Sequence, residues 1–149
     1  LRFAPLCESD VDYFIVRDLD SRVGEREASA VDQWIKSGAD YHMMRDNVEH
    51  GIVMMAGMWG SKGNLLPDFY QLVEEHGKNM GEAFHVEPQV DQAFLRNYVV
   101  PTIQSALVHD ESTYIGGSPY PLSREDGQIP SFIGESFEDF VYDGIDYER

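Results

Sequence analysis

Cysteine is nearly absent. Cys7 is the only one in 149 residues, so no internal disulfide can form and the redox compartment stays open. Long apolar runs are missing as well. The longest, from Ile52 to Trp59, falls far short of the roughly 18 residues a membrane span needs, and it reads as a buried strand plus turn. Basic residues are scarce: 11 Lys and Arg stand against 27 Asp and Glu, for a net charge of −16. Phosphate backbones and anionic lipid both need a cationic face, so this balance disfavours non-specific binding to either, and no nucleic-acid partner is expected. There is no initial methionine and no basic-then-apolar leader. The sequence opens on Leu1, and the expectation is a processed chain or part of a longer protein. Internal repeats and low-complexity tracts are also lacking.

What is present suits one folded domain over residues 1–149. Apolar residues make up 42% and aromatics 12%, and a chain of this length buries about 68–70% of its unfolded surface without a staple. Val11 to Val16 is β-branched and aromatic and predicts a strand. Glu25 to Ser37 predicts a helix, with Ala28, Val31, Trp34 and Ile35 on one face and Gly38 as its left-handed cap. Tyr41 to Met44 and Ile52 to Ala56 read as strands, the latter of the two-faced apolar kind. Further helices are expected over Pro67 to His76 and Gln89 to Tyr98, and a strand over Ile103 to Val108, leading to His109-Asp110. From Glu111 onward turn chemistry prevails, so 111–149 is expected to be an irregular tail wrapping the domain. Strands alternating with helices make the class α/β.

The strongest chemical signal is Asp18-Leu19-Asp20 where the first strand ends. Two carboxylates two residues apart can converge on one Mg²⁺ or Mn²⁺, with a diphosphate completing the shell. In a regular strand both would leave one face while Leu19 entered the core. Asp10-Val11-Asp12 precedes the strand and reads as a solvated turn. Arg17 and Arg22 flank the acidic pair and could meet a diphosphate or pair with nearby carboxylates. Trp59, between glycines, suits either a sugar-stacking platform or the core. His42 and His50 could touch an acceptor or be structural. Arg45-Asp46 could bind substrate or anchor a loop, and Asp91-Gln92 opens a helix.

Read as VDYFIVRDLDSR, Val11 to Arg22 resembles the metal-site strand of nucleotide-sugar glycosyltransferases with the A-type (GT-A) fold. It more closely resembles a group of glycosyltransferase-like proteins sharing four ordered segments. Here these are Arg17 to Arg22; Arg26-Glu27-Ala28 with Ala30-Val31 and Trp34; His42 to Asp46 with His50; and Gly57-Met58-Trp59-Gly60. The resemblance covers roughly residues 2 to 137. It implies a GT-A-like mixed sheet flanked by helices, of which this chain is the C-terminal part, the nucleotide-binding half being largely absent. By resemblance, Asp18, Asp20 and His109 hold the metal, Asp110 orients His109, and Asp91 or Asp110 handles the acceptor proton or the oxocarbenium-like centre. The implied partners are a nucleotide-sugar donor and a glycan or other hydroxyl acceptor, in the cytoplasm or, in a eukaryote, the Golgi lumen.

Two other classes compete. A glycosyltransferase-like remnant could serve as a subunit or scaffold, its exposed sheet edge covered by a protein partner. Haloacid-dehalogenase-like phosphatases also place DxD after an apolar strand, but Arg22 stands where they carry Thr or Val, and Lys36, Lys62 and Lys78 lack the required setting. On the glycosyltransferase reading, Asp18, Asp20, Trp59 and His109 should line one cleft at the carboxyl ends of the strands.

Overall fold

A computed structural model describes residues 2–85, 89–111, 113, 115–124 and 132–136. Its described elements are β1 (Tyr13–Arg17), α1 (Glu25–Ser37), β2 (Tyr41–Arg45), β3 (Met58–Lys62), α2 (Phe69–Met80), α3 (Val90–Phe94) and β4 (Ala106–Asp110), with short 3₁₀ and π turns between them. The fold is mixed α/β. Its four strands run in the order β1-β3-β2-β4. β3 is antiparallel to both neighbours, whereas β2 and β4 are parallel, so β1, β2 and β4 all point the same way. No helix of the described residues is long and apolar enough to cross a membrane.

Strand alternation divides the sheet into two faces. Phe14, Val16, Trp59, Tyr41 and Met43 pack with Phe3, Leu6, Phe69, Phe94, Leu95 and Val99, forming the larger core under α2 and α3. On the opposite face Met44 and Met58 meet Ala30 of α1, together with Tyr120 and Ile133. Gly60 lets α1 come down. A Cβ there would lie 2.8 Å from the Phe14 carbonyl oxygen and 3.0 Å from the Trp34 ring.

Several expectations change. α1 spans Glu25–Ser37 and ends at Gly38, φ +73°, as its sequence predicts. The side it buries is different: Arg26, Glu27, Ala30 and Trp34 face the sheet, while Ala28 and Ile35 lie outside. Buried carboxylate and guanidinium partners make that polar burial tolerable. Residues 52–56 form no strand; the GMWG segment predicted as a turn supplies β3 instead. The reason is polar. The Met54 carbonyl and Ala56 N–H are taken by the Gln92 side chain and the Val53 carbonyl by Arg45, leaving them no ladder to join. β1 stops at Arg17, so Asp18-Leu19-Asp20 is a turn closed by the Ser21 N–H on the Asp18 carbonyl, 3.2 Å. Leu19 is fully exposed, not inserted in the core. β4 runs through Asp110, so His109 and Asp110 lie within it rather than after it. Of the expected tail, Ser118 bridges to His109 and Ser136 to Ser21, while 112, 114, 125–131 and 137–149 lie outside the described residues.

Replacing Gly60 by Ala should destabilise the fold by about 1–3 kcal/mol, the usual cost of overpacking a closed site. Urea unfolding measures it. An unchanged midpoint would show that Trp34 does not rest on β3.

Candidate functional site

Because β1, β2 and β4 run in one direction, their carboxyl ends share one edge of the sheet, where α/β folds gather ligands. A cleft of about 840 Å³ opens there. Asp18 enters it from the end of β1, Ile115 from beyond β4, and Asp91, Gln92, Arg96 and Val100 from the α3 side. Loop 51–57 forms its apolar wall, with Ile52, Val53, Met54 and Met55.

Two side chains hold that wall in place. Gln92 works as a two-point clamp: its Oε1 accepts from the Ala56 N–H at 2.9 Å and its Nε2 donates to the Met54 carbonyl at 2.7 Å. Arg45 donates from Nε to Asp110 at 2.8 Å and from its terminal nitrogens to the Val53 carbonyl at 3.2 Å and the Gly116 carbonyl at 2.7 Å. Arg45 therefore anchors the loops on both sides of the cleft. Arg2, itself not among the cleft's lining residues, joins two carboxylates that are, donating to Asp18 at 2.6 Å and also to Asp91. Gly57 lies so close to Asp18 that a Cβ would overlap its carboxylate. Arg96 makes no ion pair among the described residues and is exposed at the cleft wall.

The sequence's other site candidates are not brought to this cleft. Asp20 is exposed on the turn beyond Asp18. Trp59 is fully buried, its ring edge-on to Phe3 and Phe14, so it offers no stacking surface to a sugar. Arg17 is turned to the α1 face, paired with Glu27. The Arg22 backbone N–H donates to the Glu135 carbonyl at 3.1 Å, tying it to 132–136. Asp110 is held in the deprotonated form: burial works against its charge, but hydrogen bonds from Thr113 and Arg45 outweigh it. With both oxygens engaged and no place in the cleft lining, Asp110 is an anchor. His109 sits on the α1 face of β4, at the opposite edge of the sheet from Asp18, three strand spacings or about 14 Å across. The expected ligand set of Asp18, Asp20 and His109 does not converge. No metal-binding group of three His, Cys, Asp or Glu side chains occurs among the described residues. Arg2 and Arg96 went unnoticed because a single arginine carries no spacing signal. Comparison with known protein families, curated proteins and solved structures found no match.

His109 belongs to a separate buried chain. Its Nε2 donates to the Gln33 Oε1 at 2.8 Å, so its Nδ1 accepts from the His42 Nε2 at 2.8 Å. His42 stacks on Trp34, and its own Nδ1 has no hydrogen-bond partner among the described residues. Burial first, then His109 and Arg17, push the His42 pKa down to about 3. His109 is lowered by burial and by Arg26, and His50 by burial. Unfolded histidine titrates near 6.5, so below that pH the unfolded chain binds protons the fold refuses. Stability should therefore fall as pH drops from about 6.5, each such histidine contributing up to about 1.4 kcal/mol per pH unit. Urea midpoints at pH 7.5 and 5.5 test this, with His42→Gln expected to lose stability less steeply than wild type. Equal slopes would overturn the neutral His42–His109 pair.

Proposed function

We propose that this chain is a glycosyltransferase-like protein whose cleft takes the reacting ends of a nucleotide-sugar donor and a hydroxyl acceptor. One observation carries the reading: Asp18 and Asp91 converge through Arg2 in a cleft at the carboxyl edge of the sheet. Support comes from the segment order resembling GT-A proteins and from a volume within the roughly 300–1,000 Å³ of small-molecule sites. The side chains do not fit the metal set of Asp18, Asp20 and His109, so no step is routed through a metal. In the transfer, the acceptor oxygen bonds to the anomeric carbon as the bond to the diphosphate oxygen breaks. Arg96, on the cleft wall, meets the charge on the departing diphosphate. Asp91, one-third exposed, receives the acceptor proton.

Thermal shift against a panel of nucleotide sugars, with and without Mn²⁺, identifies the donor, because a ligand that binds only the folded state raises its stability. With that donor, Asp91→Asn should lower transfer by about 10²–10⁴-fold, the usual worth of a proton-transfer group. Gly57→Ala, which pushes the Asp18 carboxylate aside, should weaken donor binding, whereas Asp20→Asn should leave both readouts near wild type. Absence of any donor shift, or full transfer by Asp91→Asn, would overturn the enzyme reading. The second reading, a non-catalytic subunit, is favoured by β1, an edge strand carrying the exposed apolar side chains of Tyr13 and Ile15.

A further inference from the structure

The hydrogen-bond phase of the sheet shows which groups the edge strand leaves open. Lys62 N–H donates to the Asp40 carbonyl at 2.9 Å, so Lys62 points its backbone toward β2. Alternation along β3 then directs Gly60 and Met58 to β2 as well, and Trp59 and Ser61 to β1. Gly63 N–H donating to the Asp12 carbonyl at 3.3 Å keeps the same phase. Phe14 and Val16 therefore bond β3, while the N–H and C=O groups of Tyr13, Ile15 and Arg17 point away from the sheet. The other edge is covered: Ser118 accepts from Asp110 N–H at 3.0 Å and donates to the Val108 carbonyl at 2.8 Å. Among the described residues no strand pairs with the outer side of β1.

An apolar notch lies beside those open groups. Tyr13 and Ile15, 37% and 44% exposed, stand on the α1 face of the sheet. Glu27 of α1 reaches Arg17 of β1, whereas Gln33 reaches His109 of β4, which fixes how the helix is rolled. At 100° per residue, Val31 and Ile35 fall beyond Glu27, on the flank toward β1, and Ile35 is 41% exposed. The apolar face that α1 carries in sequence is thus left alongside a strand whose outer side has no strand partner among the described residues. Both ends of the edge are acidic, with Asp10 and Asp12 before it and Asp18 and Asp20 after it. Asp10, Asp12 and Asp20 form no ion pair among the described residues. Two copies pairing antiparallel about Ile15 would set Asp12 against Asp18 and Asp10 against Asp20. Like charges directly opposite destabilise a strand pair, so a second copy is the wrong occupant.

We propose that β1 is a docking edge for an extended segment of a partner protein, apolar at alternate residues and flanked by lysine or arginine, which adds a fifth strand to the sheet. Main-chain bonds to Tyr13, Ile15 and Arg17 supply the binding, and the notch and acidic ends select the sequence. The proposal rests on the sheet alone and is independent of the transfer reaction.

Hydrogen exchange of the full chain, with and without the peptide Lys-Lys-Val-Thr-Val-Thr-Val-Lys-Lys, tests it. Binding should slow exchange of the Tyr13, Ile15 and Arg17 amides by at least about tenfold while leaving Phe14 and Val16 unchanged. Ile15→Asp, on an exposed side chain, should weaken the peptide by about tenfold or more, one desolvated charge facing an apolar strand. Glutamate in place of the flanking lysines should abolish binding, and so should a central proline, which removes a ladder donor. The proposal fails if no peptide binds, if the proline or glutamate peptide binds equally, or if Ile15→Asp has no effect. It also fails if the three amides are already protected in the free chain, whether by the chain itself or, with protection rising with concentration, by a second copy.

Discussion

The buried carboxylate of Asp46 is the contact on which the α1 side of the molecule depends. It sits just past β2 and accepts two hydrogen bonds from Arg26 of α1, at 3.2 and 3.0 Å, one from Arg124 at 2.9 Å and one from the Ile133 N–H at 3.0 Å. Arg26 in turn lies 4.1 Å over the Tyr120 ring and pairs with Glu111 at 2.9 Å. Helix, sheet and two separate stretches of the C-terminal third are thereby locked to one pair of oxygens. Removing one partner of such a buried pair typically costs about 3–5 kcal/mol, because the other charge is left stranded. This network for Arg26, and the separate pair with Arg17 for Glu27, explain why α1 turns both inward at the expense of Ala28 and Ile35.

A second charged clamp, Arg45 with Asp110, does the corresponding work on the cleft side. Its guanidinium satisfies carbonyls of two loops that belong to no ladder, so an irregular backbone can line a cleft without orphaned polar groups. Gln92 closes the same loop from α3. Both residues support the cleft and neither is free to react. The charged side chains that line the cleft itself are Asp18 and Asp91, which share Arg2, and Arg96.

The histidines divide along the same line. His42, His50, His76 and His109 are all buried. His76 donates to the Val90 carbonyl at 3.1 Å among the rings of Phe94 and Tyr98. In sequence only His109 reads as a metal ligand, by resemblance, while His42 and His50 read as acceptor contacts or structural groups. In the fold they are polar members of a core, and burial favours the neutral form of His42, His50 and His109.

The sequence by itself determined the α/β class, the span and cap of α1, and the placement of Asp18 just beyond an apolar strand, since these follow from periodicity, glycine and local propensity. It also carried Arg45-Asp46 as a loop anchor, one of the two readings open for that pair. Tertiary structure decided which strand is antiparallel, which face of α1 is buried, and that Trp59 is core while His109 lies at the far edge from Asp18. Strand order and helix roll are set by contacts between residues far apart in the chain, Arg17 with Glu27, Gly60 with Trp34 and Arg26 with Asp46. No local pattern encodes which distant partner a side chain will find. For the same reason Arg2 is silent in sequence and finds its partners only once β1 and α3 have brought Asp18 and Asp91 within its reach.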